Sequence, residues 1–427
     1  MSYKIISMAQ EMSRTKKRIV IIGGTLETSF HPIPPIADGA PEWNVFRLAE
    51  ASARNTEGKL DVHVISPCDS AQWKALQTYP VYARDNYHYI LFDQLKLNAY
   101  RKVLRHLMPM RFLLRHWVNL PDLISWWYLL KVVEFLDEVR PNFVVINDRP
   151  QYIAYLRAKF PKLCLYYMNR AQIGESRRFL KLLDGIIVNS RGMGDYIGQF
   201  IKPGNPPVWC VPNALADEFT PPESDLDRFT RQDKTILFAG RLIPGKGARE
   251  VLLAFGHILE QVPSVKLVLC GAVSNQPSHV GYTAYERELH FLASQYPPGS
   301  VSFVGYIPNR EMAAYYASAN VAVFPSLPNF LESFGMVALE AMRCGTPVVA
   351  SHQPGFKELI LPGETGFLVD DPRDARSLAS VIVSVLQDPD RAKRIGQSAY
   401  QHSLHYNIND ALLAFEKIFT SEHNRFE

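Results

Sequence analysis

Short apolar runs ending in Gly, Asn or Ser recur along the chain and alternate with amphipathic stretches, and this alternation leaves few folds open. In the first half residues 18–24, 61–66, 87–92, 143–147, 163–168 and 185–190 read as strands, and 208–213 closes that sheet. In the second half 235–239, 266–271, 301–306, 321–324, 347–351 and 366–369 read the same way. Most of these runs are apolar throughout, as strands buried on both faces of a parallel sheet are, and the helical stretches between them supply the crossovers. The expected class is α/β, with two doubly wound parallel-sheet (Rossmann-like) domains.

A polar segment with Pro221-Pro222 separates the halves and marks a linker. The expected division is an N-terminal domain over 1–212 with an extension at 1–17, a linker over 213–233, a second domain over 234–405, and a terminal helix over 406–427. A length of 427 residues suits that number of cores. The net charge of +4 is small for the size and gives no reason to expect nucleic acid as a partner. Five cysteines are scattered without metal or redox spacing and read as buried thiols in a reducing cytoplasm. Residues 1–17 lack the apolar core of a signal peptide and read as a loose extension, and no uncharged run is long enough to span a bilayer.

The first strand ends in Gly23-Gly24, but Thr25 to Thr28 supply no third glycine, so the dinucleotide fingerprint is absent. The chemistry concentrates in the second half. After Phe324 a Pro/Leu/Asn turn leads to Glu332-Ser333-Phe334-Gly335-Met336, and Glu340 follows eight positions after Glu332. The spacing of Met336, Val337, Leu339 and Met342 predicts a helix starting near Ser333, with Glu332 at its mouth and Glu340 two turns down. Free amides at a helix mouth suit a phosphate, and two carboxylates suit sugar hydroxyls; a capping acid and a solvated helical Glu is the plainer alternative. A second strand-to-helix turn, Gly240-Arg241-Leu-Ile-Pro-Gly-Lys246-Gly247, brings two cations able to hold a diphosphate.

Together these stretches resemble the donor half of the retaining glycosyltransferases of family 4, whose signature is a Gly-Arg…Lys-Gly turn followed by Glu-x7-Glu with Phe-Gly inside it. Val211-Pro212-Asn213, Pro354-Gly355, Glu358 and Gly366-Phe367-Leu368-Val369 fit as well. The resemblance is strong over about 208–372 and holds by pattern alone in the first half. It implies the GT-B fold, with two domains facing a cleft and the C-terminal helix crossing back onto the first. It also implies transfer of a hexosyl unit, from a UDP- or GDP-linked sugar, to a hydroxyl acceptor with retention of configuration and without a metal or other cofactor.

By the same resemblance Arg241 and Lys246 bind the diphosphate, and Glu332 with the amides of Phe334, Gly335 and Met336 holds sugar hydroxyls and phosphate. Glu340 accepts from the ribose. Gly240, Ser333 and Val337 complete the donor site, and the backbone of Tyr306-Ile307 meets the base. On the acceptor side the pattern points to Asp38, Gly39, Asn169 and Arg170, where the family's glycine pair and histidine are replaced. His31, His88 and His116 stay open as further residues of the site. The expected partners are a nucleotide sugar and a glycan, lipid-linked or small-molecule acceptor. A synthase or phosphorylase acting on a sugar phosphate or phosphate, and a non-catalytic assembly protein, are the alternatives. Residues 100–131 interleave basic and aromatic side chains; they fit either a peripheral contact with the inner membrane face or a pair of core-packing helices with a wet basic side.

Overall fold

The structure, a computed structural model, describes residues 5–6, 16–23, 40–55, 57–69, 86–92, 123–147, 149–169, 174–215, 234–272 and 283–420. The chain divides into two compact units. The first comprises Met1–Val188, Phe200–Val211 and Leu412–Glu427, and the second Asn189–Gln199 and Pro212–Ala411.

The first unit is built on an eight-stranded sheet of β1 (Ile5–Ile6), β2 (Lys17–Ile22), β3 (Leu60–Asp69), β4 (Tyr87–Phe92), β5 (Phe143–Asn147), β6 (Cys164–Asn169), β7 (Gly185–Val188) and β8 (Val208–Cys210), in the order β1-β4-β3-β2-β5-β6-β7-β8. All neighbours run parallel except β1, which pairs antiparallel with β4 through Ile5 and Ile90. The extension expected to be loose thus contributes an edge strand, of two residues only, too short to show a period. Around the sheet lie α1 (Ala40–Arg54), α2 (Leu123–Val139) and α3 (Ile153–Lys159). Ile19, Val20, Ile21, Val144 and Val145 are fully buried, as strands covered on both faces require.

The second unit carries β9 (Thr235–Ala239), β10 (Lys266–Cys270), β11 (Val301–Gly305), β12 (Val321–Phe324), β13 (Val348–Ser351) and β14 (Phe367–Val369), ordered β11-β10-β9-β12-β13-β14 and parallel throughout. Its helices are α4 (Arg191–Gly198), which follows β7 in sequence, α5 (Ala248–Leu259), α6 (Ala284–Ala293), α7 (Asn309–Ser318), α8 (Met336–Arg343), α9 (Pro354–Leu359), α10 (Ala375–Gln387) and α11 (Pro389–Ser403). Alternate residues of β9 enter opposite cores. Ile236 and Phe238 pack with Val251, Phe255 and Ile382 on one face, while Leu237 and Ala239 pack with Tyr316, Leu339 and Phe356 on the other. The strand order reverses between β9 and β12, which opens a crevice beyond their carboxyl ends.

The last helix, α12 (Ile408–Thr420), passes from the second unit to the first at Leu412. Its Phe419 packs on Phe143 and Tyr166 at ring distances of 4.9 Å, and Lys17 Nζ donates to the Phe419 carbonyl at 2.9 Å. Among the described residues no helix is long and apolar enough to cross a membrane. Trp126 to Lys131 form part of α2, whereas 93–122, which hold the basic and aromatic stretch, lie outside the described residues.

His88 does not reach a ligand rim. It sits near the amino end of β4, 2% exposed, with Nε2 2.9 Å from Nδ1 of His63 and its ring against Phe135; His63 in turn lies 2.9 Å from Asp61. Burial, and next the neighbouring His63, push its pKa down to about 3, against a smaller opposing pull from Asp61. The folded state therefore keeps His88 neutral while the unfolded chain takes up its proton below about 6.5. The stability tied to this group is full above that value and is lost as pH falls toward 3. Between pH 7 and 5, chemical denaturation of His88→Leu is expected to show about 2 kcal/mol less acid destabilisation than the parent chain shows over the same interval.

Candidate active site

Two loops leave the crevice at the strand-order reversal. From β9 the chain continues through Gly240 and Arg241 to a short 3-10 turn, Pro244–Lys246, before α5. From β12 it runs through 325–335 before α8. The two are fitted together at the backbone, because Leu327 N donates to the Gly245 carbonyl at 2.9 Å. Gly247 closes the first loop with φ 81°, and a Cβ there would stand 2.1 Å from the Pro325 carbonyl oxygen. Only glycine meets both demands.

This fit places Lys246 beside Glu332. Its Nζ donates to Glu332 Oε1 and lies 4.8 Å from the centre of the Phe330 ring. Ser326 Oγ donates to the same carboxylate oxygen at 3.0 Å. Glu332 is 7% exposed, so its charge is tolerated in the interior by a cation and a hydroxyl that both point at it. Ser326 is held by Ser351, whose hydroxyl donates to the Ser326 carbonyl at 2.7 Å, and Gln353 donates to the Leu327 carbonyl at 2.9 Å. Arg241 is exposed and has no ion-pair partner among the described residues. A mostly neutralised lysine and an unpaired guanidinium thus border one crevice.

The helix expected from Ser333 starts instead at Met336. Gly335 has φ 90° and ψ 52°, a left-handed conformation that a right-handed helix cannot include, so Ser333 to Gly335 stay in the loop. Glu332 accordingly lies outside the helix and Glu340 in its second turn. Ser333 caps nothing; its hydroxyl accepts from Asn189 Nδ2 at 3.1 Å and its carbonyl from Ser190 Oγ at 2.6 Å. Ser190 also caps α4 through Met193 N at 3.0 Å, and Arg191 N donates to Glu358 on α9. These bonds explain why Asn189–Gln199, which follows a strand of the first sheet, packs with the second unit. No side chain caps α8; the Ala338 amide donates to the Gly335 carbonyl at 2.9 Å, which leaves the amides of Met336 and Val337 at the helix mouth for a ligand.

Glu340 is 8% exposed and its Oε2 accepts from the Tyr316 hydroxyl at 3.1 Å. Burial, and then the adjacent carboxylate, hold the tyrosine pKa well above the usual range, so this hydroxyl stays a donor. Gly240 shares its rim with the neighbouring strands, its N–H donating to the Cys270 carbonyl at 3.0 Å and that of Gly271 to the Gly305 carbonyl at 2.7 Å. Tyr306 and Ile307 follow directly on that rim, half-buried. Met336 and Val337 lie half-buried on the α8 mouth, against the core that includes Phe334. Asn169 ends β6 in the first unit, 1% exposed, while Asp38, Gly39 and Arg170 lie outside the described residues, as do His31 and His116. Cys270 is a free thiol beside the rim, and burial pushes its pKa up to about 12, which removes it as a nucleophile.

Ser326, Phe330, Gln353 and Tyr316 were not found from the sequence. Each acts across turns or strands that only the fold juxtaposes, and none stands in a spacing that would single it out.

Residues 225–402 match the family described as Glycosyl transferases group 1. The fold agrees over nearly the full length with the sucrose-phosphate synthase of Thermosynechococcus elongatus, at a TM-score of 0.70, 22% identity and coverage of 95% of this chain and 98% of that one. It also agrees with the crystal structure of Anabaena HepE in complex with UDP-glucose, at a TM-score of 0.67, 18% identity and coverage of 94% and 99%. At these identities the likeness establishes the fold, which is the GT-B type that the resemblance implied. In sequence, the chain is 32% identical over 216 residues to D-inositol 3-phosphate glycosyltransferase 2 of Catenulispora acidiphila, covering 47% of this chain and 49% of that protein. It is 30% identical over 218 residues to a glycogen synthase of Mycobacterium tuberculosis, covering 51% and 49%. The chain thus spans about half the length of the curated relatives it matches.

Gly247→Ala is expected to lower the stability of the second unit by about 2 kcal/mol or more, since it adds a left-handed alanine and a backbone collision at once. A thermal melt followed by circular dichroism measures this, and an unchanged melting temperature contradicts the fit described between the two loops.

Proposed function

We propose that this chain transfers a hexosyl unit from a nucleotide-diphosphate sugar, UDP- or GDP-linked, to a hydroxyl acceptor, with retention of anomeric configuration and with neither a metal ion nor another cofactor. The observation that carries the reading is the convergence of Arg241, the Lys246–Glu332 pair and the uncapped mouth of α8 on the crevice between β9 and β12. Two cations and a helix mouth can stabilise the charge that builds on a departing diphosphate, which is the role a divalent ion otherwise fills. The named activities of the matched relatives, glycosyltransferase and glycogen synthase, and the UDP-glucose held by the fold neighbour support a nucleotide-sugar donor. The five free cysteines fit a reducing, cytoplasmic compartment.

In the proposed reaction the acceptor hydroxyl attacks the anomeric carbon on the face the diphosphate leaves. The carbon–oxygen bond to the diphosphate breaks through an oxocarbenium-like state, and a diphosphate oxygen takes the hydroxyl proton. Arg241 and Lys246 hold that diphosphate. Glu332 turns from Lys246 toward the sugar hydroxyls and, with the amides of Phe334, Gly335 and Met336, positions the ring. Glu340, kept in place by Tyr316, accepts from the ribose. No protein nucleophile is required.

Arg241→Ala, Lys246→Ala and Glu332→Ala are each expected to reduce transfer roughly 100-fold or more, the scale of removing one preorganised electrostatic contact. The assay follows release of the nucleoside diphosphate, after a thermal-shift screen of UDP and GDP selects the donor. Near-normal turnover in all three variants sinks the assignment.

A further inference from the structure

The second unit has an open cavity of about 880 Å³ that none of the donor-site residues line. It is bounded by the turn 363–365, the side of α11 and the turn that follows that helix. The turn leads into the amino end of β14. The helix backs onto the turn before β13, where a Cβ on Gly396 would come within 2.2 Å of the Gly345 carbonyl oxygen. In a parallel sheet these are the amino ends of the strands, opposite the rim that carries Arg241, Lys246 and Glu332.

The cavity wall is basic on balance. Arg391, Arg394, His402 and His405 line it, with Glu364 the single carboxylate among the lining residues. Neither guanidinium has an ion-pair partner among the described residues; that of Arg391 lies 5.1 Å from the centre of the Phe367 ring instead. An arginine left without a carboxylate keeps its fork of donors for an incoming anion, and stacking on an aromatic ring holds that fork in place. Gln397 and Gln401 on the same side offer amides that both donate and accept.

We propose that this cavity binds a phosphate monoester of a small hydroxylated molecule, a sugar phosphate in chemical class, at a site separate from that of the nucleotide sugar. The guanidiniums of Arg391 and Arg394 take the phosphate oxygens, and the glutamine amides take hydroxyls. The volume exceeds what phosphate alone fills and is of the size that small-molecule sites have.

Isothermal titration of the full chain with glucose 6-phosphate as the probe tests this, with inorganic phosphate and glucose titrated alongside. Saturable binding of glucose 6-phosphate is expected, at least tenfold tighter than that of either control. It should weaken at least tenfold in the Arg391→Gln/Arg394→Gln double variant and stay unchanged in Arg241→Ala. Both arginine side chains of the double variant are exposed, and a thermal melt confirms that the chain still folds. The proposal is overturned by the absence of saturation up to about 10 mM probe. It is equally overturned by inorganic phosphate binding as tightly as the ester, or by binding that is lost in Arg241→Ala and kept in the double variant.

Discussion

The second unit depends on one meeting, that of Lys246 with the buried carboxylate of Glu332, 86 positions further along the chain. A carboxylate at 7% exposure is costly in isolation, and the fold places a cation and the Ser326 hydroxyl on it together. Everything around the pair serves that placement. Gly247 lets the first loop touch the backbone of the second, Ser351 and Gln353 hold the second from the β13 side, and Gly335 turns the chain into α8 just past it. The loops can meet at all because β9 and β12 are neighbours whose connections depart on opposite sides of the sheet.

The parallel strands could be read from the sequence because each is a short apolar run buried on both faces; Tyr87–Phe92, Phe143–Asn147, Thr235–Ala239 and Val321–Phe324 match their expected limits. What escaped was of two kinds. The β1 strand has two residues, which leaves no period to detect, and its pairing is set by β4 far along the chain. The onset of α8 depends on the backbone of Gly335, which composition does not reveal.

Lys246 and Glu332 could be picked out because the Gly-Arg…Lys-Gly turn and the Glu-x7-Glu segment occur together, whereas either stretch alone reads as a solvated loop or a capped helix. Ser326 and Tyr316 could not, since a serine in a loop and a tyrosine in a helix acquire their meaning only when the sheet brings them against Glu332 and Glu340. The assignment of Asn189 and Ser190 was hidden for the same reason. They follow a strand of the first sheet, yet their hydrogen bonds go to Ser333.

Helix α8 and the loop before it are also tied to the end of α11. Arg343, on the same helix as Glu340, donates to both the hydroxyl and the carbonyl of Ser403, at 3.0 and 2.9 Å. Tyr406 just beyond stands edge-on to Phe334 at 5.7 Å and donates to the Glu358 carbonyl. Phe334, in the loop just before α8, therefore packs against the chain's last turn before α12. A different consequence follows from the Lys246 ion pair. While Glu332 engages the lysine, Arg241 is the cation of the two that has no ion-pair partner among the described residues. Freeing the ammonium requires other hydrogen-bond donors for the buried Glu332 carboxylate, so the two cations of this crevice become available one after the other.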